Sequence, residues 1–130
     1  MNIADKFYAL LIVCCGASMG AILRWGVYSW IGRTFRDTFL ATLTVNMLGS
    51  LLIGVSFIIF TEIHSPRLQL LLMTGLLASF TTFSTLSLDA LRLINNGQLN
   101  LAFAHLSAQM IFGVSFCYLG VRIGRFLLKI

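Results

Sequence analysis

The sequence predicts an all-α membrane protein with four transmembrane helices, and marks the middle of the third as a candidate mid-membrane break. Three observations carry that expectation. The chain of 130 residues is 58% hydrophobic and 10% charged, with mean hydropathy +0.94, whereas a soluble domain carries about 25% charged residues. Four stretches are long and apolar enough to cross a bilayer, which takes about 20 residues. Finally, the nine residues Ser79 to Ser87 read S-F-T-T-F-S-T-L-S, six hydroxyls within a stretch that has no charge from Leu68 to Leu88.

The first span covers about 7–31: it is uncharged from Phe7 to Leu23, then continues past Arg24 to Ile31. The second covers about 39–60 without a charge. The third, about 68–94, is entered at Arg67 and left near Asp89 and Arg92. The fourth covers about 99–121, with His105 as its ionisable residue and Arg122, Arg125 and Lys129 after it. The connections at 32–38, 61–67 and 95–98 are too short for another fold, so residues 1–130 read as one four-helix domain.

The formal net charge is +5. Its placement at span ends points to headgroup anchoring rather than to nucleic acid. Lys6, Arg67, Arg122, Arg125 and Lys129 lie on one membrane face, and Arg33, Arg36 and Arg92 on the other. The excess of two favours cytoplasmic termini and is small enough to leave an antiparallel dimer physically open. Cys14, Cys15 and Cys117 lie inside spans without ligand spacing and read as small buried hydrophobes. The N-terminal segment 2–6 has no net positive charge, so the first span reads as retained rather than as a cleaved signal. The acids Asp5, Asp37, Glu62 and Asp89 are scattered at span ends, with no carboxylate pair, phosphate loop or metal cluster, which argues against an enzyme.

Hydroxyls deep in a bilayer must face a partner, a carbonyl or a water-filled path. In the third span, Gly75, Ala78 and the hydroxyl run Thr81, Thr82, Ser84 and Thr85 weaken helix regularity. Two readings stand: an unwound turn offering carbonyls to a cation and N–H groups to an anion, or a regular helix whose hydroxyls bond one turn back. Phe80 and Phe83 are core rings or ring edges turned toward an anion. Asn46 shares a helical face with Thr42 and Ser50; its amide makes an interhelical bond or donates into a pore. His105, Gln109, Gly113 and Cys117 recur every four residues along the last span. His105 is a neutral hydrogen-bonding residue or a proton-linked group. Arg24 snorkels to the interface or lends positive potential to a vestibule. The Gly16-x-x-x-Gly20 and Gly120-x-x-x-Gly124 strips favour close helix approach, within the chain or between chains.

Together, Gly16-x-x-x-Gly20 leading to Leu23-Arg24-Trp25, then Thr42-Leu43-Thr44-Val45-Asn46, and Thr74-Gly75 followed by Thr81-Thr82-Phe83-Ser84-Thr85, resemble the fluoride-specific ion channel family, known as Fluc or CrcB. The resemblance covers almost the whole chain. It implies a passive fluoride exporter in the bacterial inner membrane, an antiparallel dual-topology dimer with two narrow pores and a central structural sodium ion. The sodium would be held by the backbone carbonyls of Ala78 and Thr81. Asn46, Phe83, Ser84, Thr82, Thr85, Phe80, His105 and Gln109 are the implied pore positions, and Arg24 the vestibule position. Three departures stand out: Leu86 where a second pore phenylalanine is expected, Ala41 in place of a glycine, and the fourth-span stripe, which lacks the usual Tyr and hydroxyls. They suggest one half of a heterodimer with a degenerate pore as an alternative to a homodimer, or a non-conducting partner subunit. A proton-coupled drug transporter of similar size would need a carboxylate in the first span, and residues 7–23 contain none.

Overall fold

A computed structural model describes residues 2–35 and 38–130, without the side chain of Phe35. Arg36 and Asp37, counted above among the loop charges and acids, lie outside the described residues. The described chain is helical: α1 (Ile3–Phe35), α2 (Thr38–Glu62), α3 (Pro66–Gln69) running into a π-helical segment (Leu70–Leu77) and α4 (Ala78–Phe80), then α5 (Phe83–Asn95) and α6 (Leu99–Leu128). Four helical stretches can cross a membrane: Ile3–Thr34, Thr38–Glu62, Pro66–Asn95 and Leu99–Leu128. Each is longer than the uncharged run that predicts it, because a helix continues into the headgroup region where charges are hydrated.

Pro66 sits at the first turn of α3, where its missing N–H costs nothing. Gly97 turns the chain between α5 and α6 with φ +72°, a conformation that favours glycine. The exterior is apolar. Phe7, Tyr8, Trp25, Trp30, Phe57, Phe103, Val114 and Phe126 all stand exposed on single helices, the surface that lipid rather than water solvates.

Glycines set the helix pairing. A Cβ on Gly16 would strike the carbonyl oxygen of Leu71, and one on Gly20 the carbonyl oxygen of Leu76. Contacts therefore advance together along α1 and the third span, and the two run parallel. On the other side of the domain, Gly120 meets the Leu51 carbonyl and Gly124 meets Val55 and Ile58, so α2 and α6 also run parallel. Both small-residue strips named in the sequence are thus consumed inside the chain. The π-helical turns of Leu70–Leu77 coincide with the Gly16–Gly75 approach, where backbones are close enough for an inserted residue to be absorbed.

Candidate functional site

Helical hydrogen bonding lapses between α4 and α5. Thr81 (φ −75°, ψ 160°) and Thr82 (φ −149°, ψ 119°) are extended. Thr82 then caps α5: its hydroxyl accepts from the Thr85 N–H at 3.2 Å and lies within bonding distance of the Thr85 and Ser84 hydroxyls. This is the ordinary use of threonine at a helix start. It explains why a hydroxyl run is found here rather than Leu and Val.

Two backbone donors are diverted by this turn. The Thr82 N–H, which an unbroken helix would give to the Ala78 carbonyl, goes to Oδ1 of Asn46 at 2.9 Å. The Thr85 N–H, which would go to the Thr81 carbonyl, goes to the Thr82 hydroxyl. The Ala78 and Thr81 carbonyls are thus among those that the break leaves without their helical donors. Both residues line the open groove beside them.

Asn46 on α2 answers the interruption with its whole amide. Oδ1 accepts from Thr82 N–H, and Nδ2 donates to the Thr82 carbonyl at 3.1 Å and to Oε1 of Gln109 on α6, also at 3.1 Å. The parallel pairing of α2 and α6 brings Asn46 and Gln109 level. Gln109 is 5% exposed and its Nε2 has no acceptor.

The groove holds a cavity of about 320 Å³, walled by α2, the third span and α6. Asn46, Thr81, Thr82, Phe83 and Gln109 line it together with apolar side chains such as Met47, Ile53 and Leu77, and among the described residues no acid does. Phe83 is 76% exposed and stands at its edge, whereas Phe80 is buried against Gly49. Ser84 is exposed and Thr85 half-buried. Leu86, at the place of the expected second ring, is buried and lines the same groove. His105 is buried one turn from Gln109 with its ring stacked on Phe39, centroids 3.5 Å apart at a 32° tilt. Neither His105 nor the half-buried Arg24 lines the groove.

A second polar cluster escaped the sequence reading. Asp89 is 4% exposed; its Oδ2 accepts from the Thr42 hydroxyl at 2.7 Å, and the Tyr28 hydroxyl sits 2.8 Å from the same Thr42 oxygen. Arg92, itself mostly exposed, reaches Oδ1 at 3.5 Å. Thr42 also lies 3.0 Å from its own helix's Thr38 carbonyl. One proton cannot serve both acceptors, and the shorter bond to the carboxyl is the stronger. Asp89 falls at the end of a span, where an acid reads as hydrated, and nothing local in the sequence marks Thr42 as its donor or Tyr28 as the partner of Thr42. Thr42→Val should therefore lower the thermal unfolding temperature in detergent, at a cost of about 1–3 kcal/mol for an unpartnered carboxyl oxygen. Tyr28→Phe should shift it much less, because the Thr42 hydroxyl still serves Asp89. Equal shifts in the two variants would contradict this order of bonds.

The family described as CrcB-like protein, Camphor Resistance (CrcB), matches residues 11–121. A protein of Stutzerimonas stutzeri named fluoride-specific ion channel FluC is 40% identical over 116 residues, covering 87% of this chain and 94% of that protein. One of the same name from Magnetococcus marinus is 38% identical over 119 residues, covering 87% and 94%. The match takes in most of the four spans and the Asn46–Thr82 pairing, and the chain belongs to the CrcB-like family.

Proposed function

We propose that this chain is a subunit of a passive, fluoride-selective channel of the cell membrane. The observation that carries the proposal is the groove at the Thr81–Thr82 interruption, where amides, hydroxyls and the Phe83 ring converge and no acidic residue lines the wall. Such a lining suits an anion: N–H and O–H groups replace water in its shell, and a phenyl ring offers a positive edge. A cation path would want carboxylates. The names of the relatives supply the ion, and fluoride is the halide whose strong hydration most needs substituted donors.

The interruption is read as a mid-membrane break. Ala78 and Thr81 carbonyls, deprived of their helical donors, fit a structural sodium ion, a hard cation that prefers oxygen ligands. Two carbonyls do not complete a coordination shell, and the groove is open along one side. A second, antiparallel copy supplies both needs: further carbonyls for the ion and a far wall for the pore. Leu86 bears on which copy that is. It occupies the position of a second ring but offers no positive edge, so a related chain that brings its own ring would complete the lining better than a self-copy.

The deciding experiment is fluoride efflux from liposomes containing this chain alone or with a related chain. Fluoride-selective efflux by the chain alone, reduced at least about tenfold in Phe83→Ile, is expected of a homodimer. Efflux only in the presence of the related chain is expected of a heterodimer. Uptake of cations coupled to protons and indifferent to fluoride would sink the channel reading.

A further inference from the structure

The carboxamides of Asn46 and Gln109 form an ordered relay whose polarity is set at one end. Thr82 N–H is a backbone donor with no alternative role, so the atom facing it at 2.9 Å must be the oxygen of Asn46. That fixes Nδ2 on the other side, with its two hydrogens directed at the Thr82 carbonyl and at Gln109. A donor facing Gln109 requires Oε1 there, which in turn leaves Nε2 as the free end. The relay thus runs from a backbone amide, through one side chain, to a pair of N–H groups with no acceptor among the described residues.

We infer that Asn46 is a positioning residue with no N–H left for an anion, and that the carboxamide donor meeting the anion is Nε2 of Gln109. The inference rests on the channel reading for the identity of the ion. Gln109 lines the groove, is nine-tenths buried, and has no carboxyl among its groove neighbours. A buried amide donor demands an acceptor. Within this groove that acceptor comes from outside the described residues, and a partly dehydrated fluoride fits the role. The sequence alone leaves Asn46 open between an interhelical bond and a pore donor, because the backbone partner that decides between them is invisible there.

The test uses the full chain in detergent micelles with ¹⁵N-labelled Asn and Gln side chains, titrated with sodium fluoride against sodium chloride at constant ionic strength. The Gln109 amide signal, identified by its loss in Gln109→Glu, should move saturably with fluoride and further than that of Asn46. Gln109→Glu keeps the oxygen that Asn46 needs and replaces the free donors with an acceptor. It should fold and cut fluoride efflux from liposomes about tenfold or more, the effect of a hydrogen bond to a charged partner. Asn46→Asp should silence the Gln109 response, because the glutamine amide turns to donate to the new carboxylate; adding Gln109→Glu should then cost little more efflux. A static Gln109 signal in vesicle-competent protein, or an Asn46 signal that moves alone, overturns the inference while leaving the channel. A Gln109 signal that moves in protein that passes no fluoride supports the donor and overturns the channel reading instead.

Discussion

Asn46→Leu is expected to abolish fluoride efflux and to strip the protein of much of its thermal stability. Leucine keeps asparagine's branching at Cγ but is bulkier, so the loss of hydrogen bonds comes with some overpacking. Thr82 N–H loses its acceptor, the Gln109 oxygen loses its donor, and the Thr82 carbonyl loses one of the groups bonded to it. In a membrane interior no water replaces them. Two stranded groups at about 1–3 kcal/mol each amount to roughly 2–6 kcal/mol, comparable with the whole stability of a small domain. Relief comes from refolding of the turn, with Thr82 N–H returning to the Ala78 carbonyl and the helix closing. That restores backbone bonds and removes the carbonyls that suit a cation. Thermal unfolding in detergent and liposome efflux would both report it, beside Leu48→Ala on the exposed face of the same helix. Comparable unfolding temperatures in the two variants would show that Asn46 is not holding the interruption.

The four spans were legible because their signal is compositional: long uncharged runs divided by short charged connections leave one solution. The glycine strips were legible as close-approach surfaces, but not for which neighbour. Deciding that Gly16 and Gly20 face the third span and Gly120 and Gly124 face α2 needs the tertiary pairing, since any helix can present a backbone to a glycine. The residues of the groove were legible by type, and their division of labour was not. Phe80 and Phe83 are equivalent in the sequence, three apart in one hydroxyl run, yet one is 6% exposed and the other 76%. The two extended residues between them redirect the chain, so helical spacing no longer predicts a shared face. Asp89 was hidden for a different reason. Thr42, which donates to it, lies 47 positions away on α2, and Tyr28, bonded in turn to Thr42, lies on α1; a span-end carboxylate beside Arg92 has an adequate explanation in solvent until those hydroxyls are seen.

Packing of α2 on α6 is the scaffold beneath the amide relay, and Gly120→Ala should show how little slack it has. Alanine is ordinarily the better helix residue by about 0.5–1 kcal/mol, and a methyl on the exposed Gly26 would meet nothing within 4 Å. Gly26→Ala is therefore expected to be neutral or stabilising. At Gly120 the same methyl would enter the carbonyl oxygen of Leu51, a backbone atom that no rotamer change can move. The two helices must separate, at a cost of the order of 1–3 kcal/mol that reverses the sign of the substitution. Separation also lengthens the 3.1 Å bond between Asn46 and Gln109, three turns further along the pair, so efflux should fall with stability. Gly113→Ala lies between the two cases: its methyl would meet Ser50 Oγ at 3.8 Å and Met47 Cε at 3.9 Å, ordinary contacts that permit folding. Unfolding temperatures in detergent should rank Gly26→Ala and Gly113→Ala well above Gly120→Ala. A Gly120→Ala variant as stable as Gly26→Ala would mean that α2 and α6 are held apart at this level, and that the alignment of Asn46 with Gln109 depends on something other than the glycine contact.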